Sequence, residues 1–167
     1  ILIALADNTG WRELIEGEEP DMFLHLPELI RARDPDVIEG HNIFGFDLPF
    51  LAARAEKCGA ALDWGRDGSA VRFGRRRRCT MGARSRPFVP AYVWGRHVID
   101  TMLAVQRFDA QSAELESYGL KAASVQLGLA EPDREEVDQT DMAREWRIDP
   151  DRVRKYALRD VIETGRL

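Results

Sequence analysis

Cysteine is scarce in this chain, with only Cys58 and Cys79 among 167 residues. Two thiols cannot form a disulfide framework, and their spacing is not that of metal-ligand pairs, so both read as free thiols of a reducing compartment. Long apolar runs are also missing. None approaches the roughly 18 residues that cross a bilayer, and no basic segment followed by a cleavage site opens the chain, which disfavours membrane insertion and secretion. There is no initiator methionine either: Ile1-Leu2-Ile3-Ala4-Leu5 already reads as the inside of a strand, and a helical pattern is still running at Leu167. The sequence is therefore expected to be a piece of a longer chain. What remains, 44% hydrophobic residues and a net charge of −5, describes one domain over residues 1–167.

Charge is unevenly distributed. Between Gly65 and Ile99 stand nine arginines (Arg66, Arg72, Arg75, Arg76, Arg77, Arg78, Arg84, Arg86 and Arg96) against the single acid Asp67, which makes this stretch +8 and leaves −13 elsewhere. An acidic body with one basic segment can hold a polyanion there, and the forked guanidinium suits phosphate. The alternative is a solvated loop without a partner. Residues 65–96 are expected to be an irregular, arginine-rich insertion with some extended pieces.

Elsewhere strands alternate with helices, which predicts an α/β layered domain. Residues 1–6 and 11–15 read as a hairpin around Asp7-Asn8-Thr9-Gly10. Phe23, Leu26, Leu29 and Ile30 recur at helical spacing up to Pro35, and Val37-Ile38 form a brief strand. A helix follows over 48–58 with Gly59 as its cap, then a strand at 97–99 and helices over 101–108 and 120–127. Asp149 as N-cap and Pro150 in the first turn start a last helix that is expected to run off the end.

Two acids are out of place. In the last helix the apolar stripe Val153, Tyr156, Ala157, Asp160, Val161, Thr164 contains a carboxylate, which needs an arginine, another cation or a metal beside it. Tyr156 precedes it by one turn, so hydroxyl and carboxylate can share a cavity. A buried salt bridge with a packed tyrosine fits equally. Asp47, in Phe46-Asp47-Leu48-Pro49-Phe50-Leu51, makes a good N-cap, with Phe46 available to staple against Leu51. It also ends a glycine-containing turn, Gly40 to Phe46, of the kind that carries sites.

Taken together, residues 34–42 (DPDVIEGHN), 46–51 (FDLPFL) and Arg54-Ala55 closely resemble the second exonuclease motif of family-B DNA polymerases. Tyr156-Ala157-Leu158-Arg159-Asp160 matches the third, Tyr-x-x-x-Asp. Residues 95–101 (GRHVIDT), 117–121 (SYGLK) and 5–11 (LADNTGW) resemble intervening segments in the same order. The resemblance implies a ribonuclease H-like mixed β-sheet flanked by helices and a 3′–5′ exonuclease of the four-acid, tyrosine-containing class. The family's first motif, Asp-x-Glu on the first strand, is absent. Asp133-Arg134-Glu135 has the right spelling but the wrong place. The missing strand is expected roughly 15 to 25 residues upstream, one strand and its turn away.

Phosphodiester hydrolysis needs an attacking hydroxide, charge neutralisation and a stabilised leaving oxygen, which two metals about 3.5–4 Å apart can supply. Mg²⁺ or Mn²⁺, two ions, would be held by hard oxygen ligands. By resemblance Asp47 and Asp160 are two of these, Tyr156 orients the attacking water, and Asn42 and Phe46 contact the terminal nucleotides, Phe46 by packing on a base or sugar. Arg75, Arg76, Arg77 and Arg78 are candidate phosphate contacts. Asp100 reads better as a helix cap than as a further ligand, and His41 and His97 as turn and strand residues. The implied partners are single-stranded DNA, with RNA as the alternative, and a polymerase domain or replication and repair proteins, at a cytoplasmic location, on the nucleoid in a prokaryote. The rival expectation is a ribonuclease H-like domain that has lost catalysis and only binds nucleic acid or a partner protein.

Overall fold

Leu2–Ala6 (β1) and Arg12–Glu16 (β2) pair antiparallel, from Leu2 opposite Glu16 to Ala6 opposite Arg12. The turn between them is built by Asp7, whose Oδ1 accepts the Thr9 N–H at 2.8 Å and the Thr9 hydroxyl at 2.6 Å, while Gly10 takes a φ of 90° that favours glycine. Hydrogen bonding from Thr9 and the Arg33 guanidinium brings the Asp7 carboxyl down to about 2. The computed structural model describes residues 1–82, 84–130 and 137–167, without the side chains of Arg84 and Gln139. The Asp133-Arg134-Glu135 triplet lies outside the described residues.

Glu19–Arg33 (α1) carries acids in its first turn and arginines in its last, as the helix dipole favours, and ends at Asp34 in the left-handed conformation. Its buried face, Met22, Phe23, Leu26 and Ile30, forms the core with Ile15, Leu48, Ala55, Leu62 and Trp64. Val37–Gly40 (β3) follows, then Asp47–Lys57 (α2).

The arginine-rich stretch is more regular than its composition suggests. Arg72–Phe73 (β4) pairs with Ala91–Tyr92 (β7), and between them Arg77–Met81 (β5) and Arg84–Phe88 (β6) form a second hairpin. His97–Asp100 (β8) lies parallel to β3, Val37 opposite His97 and Gly40 opposite Asp100. Among the described residues β1 pairs only with β2, and β3 only with β8. Thr101–Phe108 (α3) packs against β5, and Leu120–Gln126 (α4) follows. Met142–Ile148 (α5) is a helix that the sequence pattern does not announce; it buries no residue completely, so it leaves no apolar stripe to read.

Pro150–Thr164 (α6) starts as expected, with Asp149 accepting the Arg152 N–H at 3.0 Å. It does not run off the chain: Gly165 caps it, a residue with poor helix propensity, and single turns close the last residues. This helix packs against β1, β2 and β3, spanning both strand pairs. The architecture is α/β, with helices over small sheets.

Candidate active site

The site begins at the end of β3. His41 is held at both ring nitrogens: Nε2 lies 2.7 Å from the Tyr118 carbonyl and Nδ1 3.0 Å from the Thr101 hydroxyl. The carbonyl can only accept, so Nε2 donates, and Nδ1 takes the threonine proton in the neutral ring. Burial lowers the His41 pKa, against the carbonyl bond and the charge of Asp100. The side chain is a clamp, as its turn position suggests.

Asn42 then enters the left-handed region at φ 68°. Its N–H is accepted by Asp100 Oδ1 at 3.1 Å, the Phe44 N–H by Asp100 Oδ2 at 3.2 Å, and Oδ1 also accepts Leu103 N–H, capping α3. Asp100 is thus the cap the sequence predicts, and it also fixes the turn. Within that turn Gly45 and Phe46 donate to the Asn42 carbonyl, and Leu48 donates to Ile43. A Cβ at Gly45 would stand 2.4 Å from Asn42 Oδ1, so a side chain there would displace the Asn42 amide.

These bonds overturn one expectation. Asp47 is not the N-cap of α2; Phe46 holds that position, with no side-chain cap. Pro49 has no N–H to offer a capping Asp47, and the Phe50 N–H is accepted by the Phe46 carbonyl at 2.9 Å. Asp47 is instead the first helical residue, and no arginine or lysine reaches its half-buried carboxylate among the described residues. Burial, and after it the negative charge of Asp100, raise its pKa.

The Phe46–Leu51 staple is also not what forms. Phe46 stacks on Phe50, centroids 5.6 Å apart and rings inclined by 11°, and both remain exposed, at 60% and 39%. Phe50 is a further candidate that the sequence reading misses, although its i+4 spacing from Phe46 on a helix carries the signal. On α6, Tyr156 and Asp160 sit one turn apart, both half-buried, and the Thr164 hydroxyl donates to the Asp160 carbonyl at 2.8 Å. Glu163, two turns beyond Tyr156, is the fully buried acid of that helix. The end of α6 reaches β3, where Glu39 Oε1 lies 3.5 Å from the position of a Cβ on Gly165.

Six of the nine arginines fall into two groups. Arg96 is buried, donating to the Trp64 and Pro35 carbonyls and to Asp34, and Arg66 bonds Asp34, Asp36 and the Gly95 carbonyl. Both serve the fold, and neither is among the candidate phosphate contacts Arg75 to Arg78. The side chains of Arg75, Arg76 and Arg77 are exposed and make no hydrogen bond or ion pair with the described residues. Arg78, also exposed, bonds the Ser85 hydroxyl at 2.9 Å.

Residues 7–123 match the model of the DNA polymerase family B exonuclease domain. The chain belongs to that family. The match takes in Asn42, Phe46 and Asp47, and ends before Tyr156 and Asp160. Over 98% of its length this exonuclease domain is 30% identical to a DNA polymerase of Archaeoglobus fulgidus, of which it covers 19%. It is also 30% identical to DNA polymerase 1 of Pyrococcus abyssi, over all of this chain and 21% of that one. The domain thus spans about a fifth of the length of these relatives. Its fold resembles the family B DNA polymerase of the hyperthermophilic archaeon Pyrobaculum calidifontis, with a TM-score of 0.77 over 97% of this chain and 20% of that chain at 24% identity.

Proposed function

We propose that this domain is the 3′–5′ exonuclease part of a DNA polymerase, removing nucleoside 5′-monophosphates from a single-stranded 3′ end. The observation that carries the reading is Asp47: a half-buried carboxylate, released from capping, raised by its surroundings and met by no cationic side chain among the described residues. Such a group calls for a cation from outside the chain.

Hard oxygen donors suit Mg²⁺ or Mn²⁺, which bind one or two carboxylates plus substrate phosphate. Asp47 and Asp160 would hold the ions, which supply charge neutralisation and activation of water when bound. No group of three or more Asp, Glu, His or Cys is arranged for a metal among the described residues. Two acids therefore make up part of a donor set, and an upstream strand bearing Asp-x-Glu would supply the rest. The open edges of β1 and β3, both beneath α6, support that position for it.

In this reading Tyr156 orients the attacking water, Asn42 lies against the terminal nucleotide, and the Phe46–Phe50 stack receives an unpaired base, since aromatic faces bind bases of any sequence. Arg75 to Arg78 track the phosphates. The incomplete donor set favours a second reading, a domain that binds DNA without cutting it.

The deciding experiment is single-turnover hydrolysis of a 3′-labelled strand by the full-length protein with saturating Mg²⁺. Wild type should shorten the strand from its 3′ end, and Asp47→Asn and Asp160→Asn should each be slower by about a thousandfold, on the scale of losing one member of a catalytic unit. Tight strand binding by wild type with no hydrolysis would establish the second reading.

A further inference from the structure

The ribbon of β4 and β7 presents two different faces. Ala91 and Val93 are each 4% exposed and belong to the core, whereas Tyr92 and Trp94, which alternate with them, are 41% and 62% exposed. That alternation puts both rings on the outer side of the ribbon. Arg72 stands opposite Tyr92 in the register and so shares its face. Trp94 opens a tight turn that the Arg96 N–H closes on the Val93 carbonyl, with Gly95 at a φ of 75°. The Tyr92 ring lies over Gly74, where a Cβ would meet Cε2 at 2.8 Å, and so reaches the start of the run Arg75 to Arg77.

The outward groups are not used by the fold. Among the described residues, the Tyr92 hydroxyl and the Trp94 indole N–H make no hydrogen bond, neither ring stacks on another, and the Arg72 guanidinium makes no hydrogen bond or ion pair. Charge decides what such a surface suits. Arg72, Arg75, Arg76 and Arg77 are all exposed, against Asp67 as the single acid between Gly65 and Ile99, while Asp34 and Asp36 are held by Arg66. An apolar protein surface would leave these guanidinium groups unanswered. Single-stranded DNA answers both kinds of group, its phosphates taking the arginines and its bases the aromatic faces.

We propose that the face formed by Arg72, Tyr92 and Trp94 binds single-stranded DNA, with bases stacked on the two rings and phosphates on Arg72 and Arg75 to Arg77. The inference rests on the reading of the chain as a domain that handles DNA ends, and it adds a surface outside the Asp47 site. Trp94 precedes β8, whose far end, Asp100, anchors the turn that delivers Asp47. At about 3.3 Å per residue, that strand alone puts about 10 Å between the two places.

The test is photo-crosslinking of the full-length protein to oligothymidylate in which 5-iodouracil replaces one thymine, in excess chelator so that nothing is hydrolysed, with the adducts mapped by mass spectrometry. Adducts are expected at Tyr92 and Trp94. The strand concentration that half-saturates the Tyr92 adduct should rise by about 5- to 150-fold in Trp94→Ala, the range of one base stacked on an aromatic side chain, with the melting temperature unchanged. Arg72→Gln should lower the slope of that half-saturation against salt, on logarithmic axes, by about 0.7, the share of one single-strand phosphate. Adducts confined to other residues, or a half-saturation that Trp94→Ala leaves in place, overturn the proposal. So does a lowered melting temperature of Trp94→Ala with unaltered adducts, which would make this face a contact with the rest of a polymerase. Adducts at both rings without strand cutting once Mg²⁺ is restored would uphold this surface and remove the exonuclease reading, and cutting without such adducts would do the opposite.

Discussion

Asp100 Oδ1 accepts the backbone N–H of Asn42 at 3.1 Å, tying the cap of α3 to the turn that delivers Asp47. One carboxylate therefore serves two elements 58 residues apart in the chain. Asp100→Ala leaves three N–H groups without an acceptor and should lower stability by about 1–3 kcal/mol. Chemical unfolding measures it. Asp100→Asn, which keeps an acceptor oxygen, should lose less.

Asp47 makes the metal-free domain sensitive to pH in one direction. Its pKa is raised, first by burial and then by Asp100, so the native state binds this proton more tightly than the unfolded chain. Stability from this group is present below the unfolded value of 3.8 and is lost as pH rises through the higher folded value. In chelator, Asp47→Asn should melt above wild type at pH 7, with the difference shrinking toward pH 4. A pH-independent difference between the two melting curves would refute the assignment.

Tyr156→Phe removes one hydroxyl and keeps the ring. Stability should move by no more than about 1 kcal/mol. Single-turnover hydrolysis should slow by about ten- to a thousandfold, within the scale of removing a positioning group, while DNA affinity holds. A wild-type rate would take the residue out of the mechanism.

The two groups of arginines should separate cleanly by assay. Neutralising Arg75, Arg76, Arg77 and Arg78 should flatten the dependence of log affinity on log salt by about 0.7 for each phosphate that these side chains neutralise in the wild type, without a change in melting temperature. Arg96→Ala should do the reverse, leaving the salt slope in place and costing about 2 kcal/mol of stability, because the Trp64 and Pro35 carbonyls lose their donor.

Much of the fold is legible in the residues. The first hairpin, α1, α3 and α6 announce themselves through Asp7 to Gly10, the Phe23–Ile30 spacing, Asp100 and the Asp149-Pro150 start, because each signal is local. The freedom of Asp47 from capping is not local. It depends on the turn having set the helix one residue earlier, so that the Phe46 carbonyl takes the Phe50 N–H that Asp47 would otherwise cap. Charge counting cannot separate Arg96 from Arg77, since what distinguishes them is the distant Asp34 and the carbonyls of Pro35 and Trp64.

The span of α6 over both strand pairs also sets an order of events during synthesis. Arg154 on α6 bonds Glu16 on β2 at 2.9 Å, a partner 138 residues earlier. At about 5–20 residues per second, the ribosome delivers that cover on the order of ten seconds after the hairpin has emerged. Until then β1 and β2 lack α6 and rest only on α1, which packs against β2, and a pair of strands needs such cover because alone it is marginal in water. This hairpin is thus made before the other elements described here and secured among the last, and while it waits the nascent domain is most open to aggregation or chaperone capture.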